Sequence, residues 1–160
     1  QKALRDGPAE SEYSWLHKNN MVARIEENAD CNSIWVITPD LYQSTNCPFF
    51  KEVVQKNLER GITYTYIFPK TDQTISMLDT LRQIFSSYPK QLIERPMPDD
   101  IFRTMSVSHY LLFELEATGD LPPQVFLELP IESREYWIEV DRDAARGFFS
   151  RFYRIAKGLP

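Results

Sequence analysis

The chain has 160 residues and a mass of 18.8 kDa, enough for one domain with a substantial core, and its 42% hydrophobic and 26% charged residues are those of an ordinary soluble globular protein. Eighteen Lys and Arg face twenty-three Asp and Glu, a net charge of −5 that argues against broad binding of a nucleic-acid backbone. The five glycines, at positions 7, 61, 119, 147 and 158, are too scattered for a GxGxxG turn or a Walker loop, so those nucleotide cradles are excluded.

Residues 1–12 are polar, carry Gly7-Pro8, and read as a linker or tail from a neighbouring domain; residues 13–160 read as a single α/β domain. Residues 13–29 predict a helix with an apolar stripe of Trp15, Leu16, Met21, Val22, Ile25 and Ala29. Ser33 to Thr38 is a continuous apolar run that suits a strand buried on both faces. A loop through Ser44, Thr45 and Asn46 follows. Pro48 stands where a first-turn proline belongs, Phe49, Phe50, Val53, Val54 and Leu58 form one helix face, and Gly61 is the natural stop. Ile62 to Phe68, β-branched and aromatic, predicts a second strand closed by Pro69. Thr71 caps a helix carrying Ile75, Leu78, Leu81, Ile84, Phe85 and Tyr88, which Pro89 stops. Gln91 to Arg95 is a third strand, and residues 96–100 (PMPDD) read as a loop.

The rhythm then changes. Met105–Val107, His109–Glu116, Gln124–Leu129 and Glu135–Val140 are strands in quick succession, with turns at Thr118-Gly119-Asp120 and Pro122-Pro123. Asp141 to Lys157 is an amphipathic helix with Ala145, Phe148, Phe149, Phe152 and Ile155 inward. The early alternation of helix and strand predicts a mixed, mainly parallel sheet flanked by helices, extended by the later strands.

No apolar run approaches the roughly 20 residues of a membrane span, and no signal-peptide core is present. Cys31 and Cys47 are sixteen apart and, with His17 and His109, match no zinc spacing. They read as reduced thiols of a cytoplasmic protein, and no metal and no cofactor are expected.

Ligands of open α/β sheets sit beyond the carboxyl ends of the strands. That rule points to Asp40, Tyr42 and Asn46 after the first strand as ligand-binding residues, although turn formation and capping also call for such residues. His109 lies on a strand face with Leu111, Phe113 and Leu115 and is a further ligand-binding candidate. Trp137, between Glu135 and Glu139, reads as partly exposed and able to contact a partner. Charge is uneven: residues 98–140 hold nine acidic residues and two arginines, net −7, whereas 141–157 hold five basic and two acidic, net +3. Arg142 and Arg146 on that basic helix are candidates for an anionic partner, or simply solvated cations.

The segment from Ile34 to Pro69, a strand, a helix ending in Asn57-Leu58-Glu59-Arg60-Gly61 and a second strand, resembles one half of the phospholipase D-like fold. The resemblance runs through the late strands and final helix, covering roughly residues 20–157. Active members of that superfamily carry HxK(x4)D. His109 matches the histidine, Leu111 stands at the lysine position and Glu116 at the aspartate position. An aliphatic side chain cannot hold the phosphate that the lysine binds. The resemblance therefore implies the fold, and the lost lysine argues against the activity.

Degenerate domains of this kind serve as sensing or docking modules beside DNA-binding or signalling domains of prokaryotic proteins. By resemblance, the expectation is a non-catalytic regulatory or interaction domain that binds a neighbouring domain, a partner protein, a second copy of itself or a small ligand. Two alternatives stand beside it. One is a dimeric phosphodiesterase or nuclease in which two His109 side chains meet in a homodimer. The other is a nucleic-acid-binding module using the final basic helix, which the acidic strands oppose.

Overall fold

A computed structural model of the chain describes residues 16–105, 110–114 and 124–160, with the backbone alone for 110–114. The elements run β1 (Leu16–Lys18), α1 (Asn19–Glu27), β2 (Ser33–Ile37), α2 (Tyr42–Asn46), α3 (Pro48–Glu59), β3 (Thr63–Pro69), α4 (Asp72–Ile84), β4 (Leu92–Met97), α5 (Asp99–Met105), β5 (Tyr110–Glu114), β6 (Gln124–Glu128), β7 (Tyr136–Glu139) and α6 (Arg142–Ala156). The strands form one mixed sheet in the order β1-β7-β6-β5-β2-β3-β4. The parallel part comprises β2, β3 and β4; β5, β6, β7 and β1 pair antiparallel beyond β2. The class is therefore α/β with helices on both faces of the sheet, as the sequence predicts.

Strand period sorts the core into two layers. Ile34 and Val36 of β2 share a face with Tyr64, Tyr66 and Phe68 of β3, and with Phe126 and Trp137. Helices α1, α3 and α4 cover that face with Val22, Phe50, Val54, Leu58 and Leu81. Trp35, Ile37, Ile67 and Val125 turn to the other face, where Phe102 of α5 and Ala145, Phe152 and Ala156 of α6 meet them. Trp35 and Phe149 stack at 4.8 Å with their planes 8° apart.

Local signals set several boundaries. Pro48 opens α3, and Gly61, at φ +89°, follows its C-cap in the left-handed region that a helix stop requires. Thr71 and Thr74 cap α4 reciprocally, each hydroxyl accepting the other's backbone N–H. Asp141 accepts from Asp143 N at 3.1 Å to start α6.

The structure departs from the sequence reading in several places, among them Met105, expected to open a strand and found as the last residue of α5. Leu16–Lys18, expected within the first helix, is an edge strand because β7 supplies its ladder. The loop after β2 contains the short helix α2, and the Pro-Asp-Asp segment opens helix α5, whose first-turn Asp99 and Asp100 suit the positive end of the helix. Phe49 and Ile75, expected to face inward, are exposed, since their helices already fill the inner stripe with Phe50, Val53 and Leu58, and with Leu78 and Leu81. Trp137 is fully buried rather than partly exposed. It packs on Phe50 and donates its indole N–H to Asn19 Oδ1 at 2.6 Å, so it presents nothing to a partner. No helix of the described residues is long and apolar enough to cross a membrane.

A carboxyl group lies inside the first core layer. Glu26, on the buried face of α1 with Val22 and Ala23, bonds the hydroxyl of Tyr64. Asn57 of α3 donates to the same hydroxyl at 3.0 Å and to the Glu26 carbonyl at 3.2 Å. The second carboxyl oxygen of Glu26 is buried without a partner. Burial, opposed by the Tyr64 hydrogen bond, pushes Glu26 up from 4.5 to about 8. Between those values the folded chain keeps a proton that the unfolded chain has released. The stability this group contributes is therefore complete below pH 4.5 and is lost as pH rises toward 8. The slope is at most about 1.4 kcal/mol per pH unit. Urea titrations across this range should show the Glu26→Gln variant gaining on the wild type as pH rises; parallel pH profiles of the two would contradict the assignment.

Candidate functional site

The chain leaves β2 through Thr38, whose side chain organises the next three residues. Its hydroxyl accepts the N–H of Leu41 at 2.9 Å and of Asp40 at 3.3 Å, while Asp40 Oδ1 accepts the N–H of Tyr42 at 3.1 Å. These bonds hold Leu41 at φ +58°, a left-handed conformation costly for a branched side chain. Leu41 is almost wholly buried, and its carbonyl accepts the Thr45 hydroxyl at 2.7 Å. The turn thus delivers Asp40, Tyr42 and Gln43 to the carboxyl edge of the sheet.

The β6–β7 connection meets them there. Arg134 donates to Asp40 Oδ2 at 2.8 Å, to Asp40 Oδ1 at 3.4 Å and to Glu128 Oε1 at 3.1 Å. Its guanidinium carbon lies 4.4 Å from the centre of the Tyr42 ring, a cation–π contact. Gln43 Nε2 donates to Glu128 Oε2, and the carbonyl oxygen of that same amide is buried with no hydrogen-bond partner. The Arg134 backbone is fixed as well: its N–H reaches Ile131 O at 3.1 Å, and its carbonyl accepts Asn19 Nδ2 at 3.1 Å. It too is left-handed, at φ +54°.

Burial pushes the Glu128 carboxyl upward, and the hydrogen bond and charge of Arg134, with the Gln43 amide, pull it back without cancelling the rise. Burial works against the charge on Arg134, and its bonds to Asp40 and Glu128 outweigh that, holding it firmly protonated. The result is one guanidinium set between two carboxylates, an amide and a ring. Nothing in the cluster has the form of an activated nucleophile. The nearby hydroxyls of Ser44 and Thr45 are engaged by Tyr66 at 3.0 Å and by the Leu41 carbonyl.

Of the residues singled out from sequence, Asp40 and Tyr42 come together here. Asn46, at the far end of α2, is exposed and donates to Thr45 Oγ1 at 2.9 Å, outside the cluster. Arg142 and Arg146 are exposed on the first turns of α6, separated from Arg134 by the length of β7. His109 and Glu116 lie outside the described residues; Leu111 stands in β5, its backbone opposite Val36 and Phe126. Cys31 and Cys47 are free buried thiols, and burial raises Cys31 to about 11. Among the described residues no group of three or more His, Cys, Asp and Glu side chains is placed to hold a metal ion.

Sequence reasoning missed Gln43, Glu128 and Arg134. Glu128 did carry a signal, since strand period puts it on the same face as buried Phe126. Arg134 carried none, being a polar residue in a polar connection. Beside the cluster, a shallow depression of about 440 Å³ lies over the ends of β2 and β3, lined by Pro39, Pro69, Thr71, Asp99, Phe102 and Arg103. Its ion pair, Arg103 to Asp99 at 3.1 Å, is solvent-exposed and one helical turn apart. No protein-family model matches the chain, and no curated protein matches it.

Removing the guanidinium leaves Glu128 and Asp40 without their cation. Arg134→Ala should cost about 2 kcal/mol in denaturant unfolding. Arg134→Gly loses the same bonds but relieves the left-handed backbone, so it should be more stable than the alanine variant by about 1 kcal/mol. Equal stabilities for the two variants would show that the backbone at this position carries no strain.

Proposed function

We propose that this domain is a non-catalytic recognition module of a larger protein, and that it recognises its ligand or partner at the Asp40–Arg134–Glu128 cluster. One observation carries the reading. Of the two non-glycine residues with positive φ among those described, Arg134 belongs to a single charged cluster at the carboxyl edge of a parallel strand and Leu41 adjoins it, next to Asp40. Backbone strain persists where the surrounding structure enforces it, and it concentrates at ligand clamps and switch regions. The position also follows the rule for open α/β sheets.

The resemblance to the phospholipase D-like superfamily supports the same conclusion. The order strand, helix ending in Asn57-Leu58-Glu59-Arg60-Gly61, strand, later antiparallel strands and closing helix fits one half of that fold. Leu111 at the lysine position removes the group that would hold a phosphate. A domain with this frame and without that clamp is a sensor or docking unit, regulatory rather than hydrolytic.

The test is turnover of a generic phosphodiester, bis(p-nitrophenyl) phosphate, by the purified chain with and without EDTA. The expected rate is that of buffer, unchanged in His109→Ala. Hydrolysis by the wild type that disappears in His109→Ala would overturn the proposal in favour of a phosphodiesterase.

A further inference from the structure

The cluster resembles a binding pocket already holding a ligand, and the ligand is part of the chain. Without Arg134 the pocket is a set of acceptors: both oxygens of Asp40, the buried carboxylate of Glu128, the buried Gln43 carbonyl oxygen and the face of the Tyr42 ring. Two carboxylates and a ring beside one amide suit a planar cation with forked N–H donors better than a point charge. We infer that this pocket is a receptor for guanidinium groups, and that Arg134 occupies it in cis as an exchangeable plug.

Four observations favour exchange over a permanent tie. Arg134 is held at φ +54°, so leaving the pocket releases an unfavourable backbone conformation. It sits in the exposed β6–β7 connection, beside Ser133 and Glu135 and close to Ile131, which is 45% exposed, and its own side chain is 28% exposed, so the guanidinium has a way out to solvent that does not cross the core. The Gln43 carbonyl oxygen, on a residue only 2% exposed, has no hydrogen-bond partner with Arg134 in place, although the Nε2 of the same amide is bonded to Glu128. The side of the Tyr42 ring that an entering group would approach belongs to a residue 40% exposed.

The inference deepens the recognition reading and rests on it, naming the chemistry the site takes. The guanidinium could be carried by a small molecule or by an arginine of a polypeptide, and two probes separate these sources. Methylguanidinium and a blocked Gly-Arg-Gly peptide are titrated calorimetrically into the wild type, Arg134→Gly and the double variant Asp40→Asn/Arg134→Gly, with methylammonium as the control cation. An occupied pocket binds with an affinity reduced by the fraction of open molecules. Arg134→Gly should therefore bind at least about tenfold more tightly than the wild type, and the double variant should lose that binding. Equal affinity for the two guanidinium probes assigns a small compound as sufficient, and tighter binding of the peptide assigns a chain-borne arginine.

The proposal is overturned if folded Arg134→Gly binds neither probe, if it binds methylammonium as well as methylguanidinium, or if wild type and variant bind equally. Should Arg134→Gly not fold, the Arg134 Nε–H resonance of the wild type decides: it should move toward the position of a solvent-exposed arginine as probe is added, and a resonance unmoved by saturating probe refutes exchange. Failure here leaves the non-catalytic reading standing, because phosphodiester turnover tests that separately.

Discussion

Burial of the β2–β3 pair on both faces is the constraint from which the domain's polar chemistry follows. Ile34 and Val36 with Tyr64 and Tyr66 lie under α1, α3 and α4, while Trp35, Ile37 and Ile67 lie under α5 and α6. A sheet covered in this way can present charge freely only at its strand ends, and any polar group left between the layers must find a partner there. The two tyrosines show how that is met. Tyr64 passes its hydroxyl to Glu26 and receives Asn57, and Tyr66 donates to Ser44 at 3.0 Å. Their rings lie 6.1 Å apart, so the two hydroxyl networks run side by side beneath the helices. One ties α1 to α3; the other ties β3 to α2, the helix that carries Gln43.

The carboxyl edge inherits its geometry from the same frame. Because β5 and β6 continue the sheet antiparallel from β2, the end of β6 arrives beside the end of β2 and brings Glu128 toward the Thr38 turn. The connection to β7 then returns over that edge, and the start of α1 pins it through Asn19, which bonds the Arg134 carbonyl, the Glu135 carbonyl and the Trp137 indole. Residues 19, 40, 43, 128 and 134 are thus gathered by topology alone, from four separate stretches of sequence.

That explains what was legible in the sequence and what was not. The strands and long helices were readable because their signals are local: the apolar run Ser33–Ile37, the aromatic alternation of Tyr64, Tyr66 and Phe68, the stops at Gly61 and Pro69. Strand β1 was not, since three residues carry no period and depend on β7 for their ladder. Half of the site was readable from the rule that ligands gather after strands, which picked out Asp40 and Tyr42. The other half required knowing that β6 lies two strands from β2. Trp137 misled for a related reason. Its acidic neighbours suggested a wet strand, whereas the strand has one dry face and Trp137 is on it.

The four left-handed residues described divide in a way that bears on the site. Gly61 and Gly158 follow the ends of α3 and α6, where the chain needs the conformation and no side chain; at Gly158 a Cβ would also come within 3.0 Å of the Arg95 guanidinium. Leu41 and Arg134 accept the same conformation where glycine would avoid its cost. Leu41 has a reason within the core, being buried among apolar side chains. Arg134 has no such reason, since its side chain is 28% exposed and packs on an exposed ring. What its side chain gains is the contact with Asp40, Glu128 and Tyr42. Strain borne for a charged contact at a sheet edge, rather than for core packing, is the feature that separates this cluster from the other ion pairs described in the domain, such as Arg82 with Glu94, which joins two elements on an ordinary exposed surface.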